Sequence, residues 1–70
     1  MENKEKICEK LTELLQLTRA GEDVQELEYL EEDGGDQFVC IRFRNGYKKL
    51  VNVTGDSGLA IMGDVARTLY

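Results

Sequence analysis

Asn45-Gly46 constrains this chain more than any other pair of residues. It stands between Phe38–Arg44 and Tyr47–Thr54, two runs rich in β-branched and aromatic side chains. Asparagine followed by glycine readily adopts the positive backbone angles of a tight hairpin turn. A two-residue turn here sets a register. Arg44 faces Tyr47, Arg42 faces Lys49, Cys40 faces Val51 and Phe38 faces Val53 on one side of the ribbon. Phe43 with Lys48, Ile41 with Leu50 and Val39 with Asn52 take the other.

Upstream, Val24–Glu31 (VQELEYLE) carries Val24 and Tyr29, residues that favour a strand, and the Glu32-Asp33-Gly34-Gly35-Asp36 stretch after it is a turn. Burying an unpaired carboxylate is costly, so the strand should join the hairpin with its glutamates outward. Leu27 and Tyr29 then meet Val39, Ile41, Phe43 and Leu50 on a core face. The opposite face carries a charge ladder of Glu26, Glu28, Arg42 and Lys49. It also carries an apolar set of Leu30, Phe38, Cys40, Val51 and Val53.

Two amphipathic segments flank these strands. Ile7, Cys8, Leu11, Leu14, Leu15 and Thr18 recur at helical spacing, with Glu5, Glu9, Glu13 and Gln16 on the solvent side. This predicts a helix of about four turns, N-capped by Asn3 and ended by a left-handed Gly21. From Gly58 to about Leu69, Leu59, Ile61, Met62, Val65, Ala66 and Leu69 form an apolar arc, and Ser57 or Asp56 is the cap. The expected fold class is α+β: one domain over residues 1–70, ordered helix, three-stranded antiparallel meander, helix, with both helices on one sheet face.

Composition narrows the partners. Residues 1–36 hold 12 acids and 4 bases, whereas residues 37–70 hold 2 acids and 5 bases, within an acidic net charge of −5. A general nucleic-acid binder is usually basic across its contact face, and here only the hairpin tip is. Arg42, Arg44, Lys48 and Lys49, with Tyr47 beside them, form a candidate grip on phosphates. With no histidine and only Cys8 and Cys40, neither a Cys/His zinc site nor a CxxC pair can be assembled, and both cysteines are expected as small buried side chains. The carboxylates Glu31, Glu32, Asp33 and Asp36 lack the alternating ligands of a calcium loop. No metal or cofactor is expected. No apolar run approaches the ~20 residues of a membrane span. The charged MENKEKICEK start is unlike a secretion leader, so the expected location is the cytoplasm.

Gly55-Asp56-Ser57-Gly58 resembles the tetrad around the nucleophile of trypsin-like serine proteases. Without a histidine base that likeness implies no hydrolysis, and the tetrad is expected to be a strand-to-helix turn with a cap. The same turn resembles an anion-binding loop only in part, because no Gly-Lys-Ser/Thr follows and Asp56 repels phosphate. The element order resembles that of double-stranded RNA-binding domains. That family holds phosphates with lysines at the start of its last helix, where this chain has GDSGLAIMGD.

The stretch VNVTGDSGLAIMGDVARTLY, through Val53, Asp56, Ser57, Ala60, Asp64 and Val65, resembles the C-terminal part of small proteins carried by prophages and conjugative elements of Gram-positive bacteria. The resemblance implies a small accessory protein without catalysis. Two helices cover one face of a three-stranded sheet and leave the other exposed. The expected function is therefore a non-enzymatic interaction module that homodimerises through Leu30, Phe38, Cys40, Val51 and Val53. Phosphate binding at the hairpin tip is the alternative.

Overall fold

A computed structural model describes residues 2–70. The chain runs α1 (Lys4–Leu15), β1 (Val24–Glu31), β2 (Gln37–Phe43), β3 (Lys48–Asn52) and α2 (Gly58–Leu69). The strands form one antiparallel meander in the order β1-β2-β3. Cys8 and Leu11 of α1 and Ile61 and Val65 of α2 share a single core with Leu27, Val39, Ile41, Val51 and Val53. Both helices therefore lie on the same face of the sheet, as the distribution of apolar side chains implies.

The hairpin departs from the expected register by one residue. Val39 faces Val51, Cys40 faces Leu50, Ile41 faces Lys49 and Arg42 faces Lys48. The loop has three residues rather than two. Gly46 N–H donates to Phe43 O at 3.0 Å, Phe43 N–H donates to Tyr47 O at 2.8 Å, and Gly46 takes a φ of 90°. This is a type I turn followed by a left-handed glycine, and it leaves Asn45 at negative φ, where a two-residue type I′ turn would force it positive. The core explains the choice. A one-residue slip flips every side chain, and the two-residue register would set the Asn52 amide among buried valines while exposing Val51 and Val53.

Three assignments change in consequence. Val51 and Val53 belong to the core, at 9% and 1% exposure, and not to the outer face. Leu50 lies on the outer face at 63% exposure, opposite Cys40. Lys49 no longer shares a face with Arg42.

β1 pairs in the expected sense, Leu27 with Ile41 and Tyr29 with Val39, but the register shifts between Val24 and Glu26. This bulge turns Val24 inward, where it is fully buried. α1 then covers the outer edge of β1. The Thr12 hydroxyl donates to Cys8 O at 2.8 Å and accepts from Leu27 N–H at 3.0 Å, while Gln16 Nε2 donates to Val24 O at 2.9 Å. Gln16, expected in solvent, is therefore a partner of the strand edge. It satisfies backbone groups that the bulge and the edge position leave without a strand neighbour.

The helix ends also differ from expectation. Asn3 caps α1 by accepting from Lys6 N–H at 2.9 Å, but the helix stops at Leu15. Thr18 closes the following turn instead of facing the core: its hydroxyl donates to Leu15 O at 2.7 Å and accepts from Gly21 N–H at 3.0 Å. Gly21 is not left-handed. It is required because a Cβ there would lie 2.4 Å from Leu15 O. In α2 the buried stripe is narrower than the arc of apolar residues, since Ile61 and Val65 are fully buried while Leu59 is 79% exposed.

Removing the Thr12 hydroxyl should leave the Leu27 amide without an acceptor. Thr12→Val is expected to cost about 1–3 kcal/mol in urea unfolding, and Thr12→Ser to retain most of the wild-type stability. Equal losses in the two variants would mean that shape, not the hydrogen bond, matters at this position.

Candidate functional site

The outer face is built by three strands in register. Glu28 lies beside Cys40, which lies beside Leu50; Leu30 lies beside Phe38, which lies beside Asn52; and Glu26 lies beside Arg42, which lies beside Lys48. Leu30, Cys40 and Leu50, with Arg42 and Lys48, line a shallow groove of about 480 Å³. Leu30 and Phe38 are half-buried. Cys40 is only 5% exposed, yet it lies outside the helix-covered core, screened by its neighbours on this face. Of the five residues expected to make an interaction surface, the structure brings Leu30, Phe38 and Cys40 together and removes Val51 and Val53. Leu50 joins them. Its signal in the sequence was Asn52, whose amide is poorly suited to the core position beside Val39 that a two-residue turn imposes.

The charged half of the face is internally balanced. Arg42 Nη2 lies 2.5 Å from Glu28 Oε1, and Arg42 Nε lies 3.5 Å from Glu26 Oε1. The hydrogen bond that Arg42 donates to the Glu28 carboxylate holds the guanidinium more firmly protonated than usual. All three side chains remain substantially in water, so the cluster contributes little to stability and mainly ties β1 to β2.

The basic hairpin tip is divided. Arg42 and Lys48 are on the outer face, Tyr47 and Lys49 are on the helix side, and Arg44 is in the turn, where its backbone N–H donates to Asp23 O at 2.9 Å. Tyr47 packs against Phe43 with ring centroids 5.9 Å apart. No one face collects the five candidate phosphate-binding residues. Arg44, Lys48 and Lys49 have no carboxylate partner among the described residues.

Three of the four residues of the Gly-Asp-Ser-Gly junction have structural roles. Gly55 supplies a positive φ of 78°. Ser57 caps α2 by accepting from Ala60 N–H at 3.2 Å. Gly58 permits close packing, because a Cβ there would lie 2.6 Å from both Ile7 and Glu2. Glu2 in turn accepts from Gly58 N–H at 2.9 Å, a carboxylate at the positive end of the helix dipole.

Asp56 and Asp64 form a carboxyl pair that the sequence pattern does not reveal, because one lies in the turn and the other nearly two turns into α2. Hydrogen bonding to Asp64 is the main reason that Asp56 holds its proton above the ordinary value of 3.8. Asp64 is lowered, first by its bond to Asp56 and then by Arg67, with which it is paired. Asp56 Oδ2 is buried with no hydrogen-bond partner among the described residues.

Neither cysteine is poised for chemistry. Both are buried and unpaired, Cys8 within the core and Cys40 beneath the outer face, and burial pushes the Cys8 thiol up. Among the described residues no group of three or more metal-ligating carboxylates or thiols converges, and no helix is long and apolar enough to cross a membrane.

The Asp pair has a definite pH signature. Asp56 has a raised folded-state pKa, so its ionisation opposes folding: the penalty is absent below the ordinary value and complete above the raised one. Asp64 has the opposite sign, and its stabilising contribution is lost as pH falls through its lowered value. Asp56→Asn should therefore raise Tm at pH 7, where an amide can donate to Asp64, and the gain should vanish near pH 3. A Tm at pH 7 equal to or below that of the wild type would contradict the pairing.

No family model matches the chain, and no curated protein or solved structure is detectably similar to it.

Proposed function

We propose that this protein is a small non-catalytic interaction module that homodimerises through its outer sheet face. It would serve as an accessory protein of a mobile element, the origin that the C-terminal resemblance implies. The observation that carries the proposal is the apolar strip of Leu30, Phe38, Cys40 and Leu50 on the face that neither helix covers. Leu50 lies in water at 63% exposure. Apolar area contributes about 25 cal/mol per Å² on burial, so covering even ~200 Å² is a substantial gain for a domain of marginal stability. The absence of histidine argues against acid–base chemistry near neutral pH, and the buried thiols argue against a cysteine nucleophile.

Sedimentation equilibrium over a wide concentration range tests the proposal. The wild-type protein is expected to reach dimer mass, and Leu50→Asp to remain a monomer with unchanged circular dichroism. Val51→Asp should instead unfold, because it places a carboxylate in the core. A wild-type chain that stays monomeric up to about millimolar concentration overturns the homodimer. Salt-dependent binding of single- or double-stranded nucleic acid, lost in Lys48→Glu/Lys49→Glu, would replace protein docking with phosphate binding at the hairpin tip.

A further inference from the structure

The sheet has two edges, and they are treated differently. α1 closes the β1 edge through Thr12 and Gln16. The β3 edge has no such cover. Phe43 N–H bonds to Tyr47 O, and Val53 N–H bonds to Gln37 O. In an antiparallel ladder this means that Tyr47, Lys49, Val51 and Val53 turn their backbone groups toward β2. Lys48, Leu50 and Asn52 turn theirs outward. Among the described residues no side chain or backbone group outside β3 donates to or accepts from the outward groups of Lys48, Leu50 and Asn52.

From this geometry we infer that the β3 edge is a strand-pairing site, and that its occupant is β3 of a second copy, antiparallel and centred on Leu50. The inference rests on the homodimer proposed above and moves its contact from the outer face as a whole to the β3 edge of that face, where Leu50 lies. With Leu50 at the middle of Lys48–Asn52, a two-fold axis sets Leu50 against the partner's Leu50, Lys48 against the partner's Asn52, and Lys49 against the partner's Val51. Every outward backbone group then meets a complementary one, and no lysine faces a lysine. The two Leu50 side chains meet on the outer face beside the groove that Leu30 and Cys40 line.

Charge decides between this arrangement and flat stacking of two outer faces. Stacking would take Glu26, Glu28 and Arg42 out of water, and desolvating such a cluster can cost more than its mutual attraction returns. Edge pairing leaves the cluster solvated and covers Leu50, the most exposed apolar side chain on that face. Five residues of edge make a small interface, which places the dimer in the weak, concentration-dependent class.

The test measures amide hydrogen exchange of the wild-type protein below and above the dimerisation concentration, alongside the masses of three variants. The amides of Lys48, Leu50 and Asn52 are expected to slow by about tenfold or more as dimer forms. Leu50→Pro removes an outward N–H without touching the β2 ladder and should give a folded monomer, as should Leu50→Lys. Phe38→Asp, away from the free edge, should still dimerise. A dimer in which those three amides exchange equally fast at both concentrations, or which Phe38→Asp dissociates, overturns edge pairing while leaving a homodimer. A monomer throughout overturns both.

Discussion

The closure of the β2–β3 hairpin, in which Phe43 bonds to Tyr47 across Arg44-Asn45-Gly46, is the contact on which the rest of the structure depends. Its three-residue loop decides which side of the ribbon each residue takes. With that loop in place, Val51 and Val53 close the core over Ile61 and Val65, and α2 has an apolar floor to pack on. The same loop turns Leu50 out beside Cys40 and divides the basic residues between two faces. An exposed leucine and a dispersed charge patch thus accompany one turn, whose register the core selects.

The two edges of the sheet show how a 70-residue chain manages unpaired backbone. At the β1 edge a bulge swings Val24 into the core and disturbs the ladder, and Thr12 of α1 and Gln16 at its C-cap supply the missing hydrogen bonds. The helix therefore has two functions, burying Cys8 and Leu11 and blocking the strand. At the β3 edge protection is limited to Lys48 and Lys49, whose charge discourages indiscriminate pairing without satisfying the backbone. That edge is guarded by charge and centred on an exposed leucine.

The Gly-Asp-Ser-Gly junction illustrates how a short motif can resemble a site while serving the fold. Ser57 caps a helix, Gly58 lets α2 approach α1, and Asp56 is held against Asp64. The Asp pair is a local electrostatic cost at neutral pH, and Arg67 eases it only from the Asp64 side. Asp56 bears that cost most directly, because its Oδ2 is buried with no hydrogen-bond partner among the described residues.

Much of the architecture was legible in the residues themselves. Periodicity located both helices, β-branched and aromatic runs located the strands, and the need to keep Glu26 and Glu28 solvated oriented β1 correctly. These are local properties, set by side-chain spacing and by the cost of burying charge. What only the tertiary structure decided was the hairpin register, the Val24 bulge and the burial of Gly21. Asn45-Gly46 permits both a two-residue and a three-residue loop, and local preference does not separate them. The choice belongs to the core, where two valines are better buried than one leucine accompanied by an asparagine. Leu50 faces solvent, and Val51 and Val53 do not, for that reason.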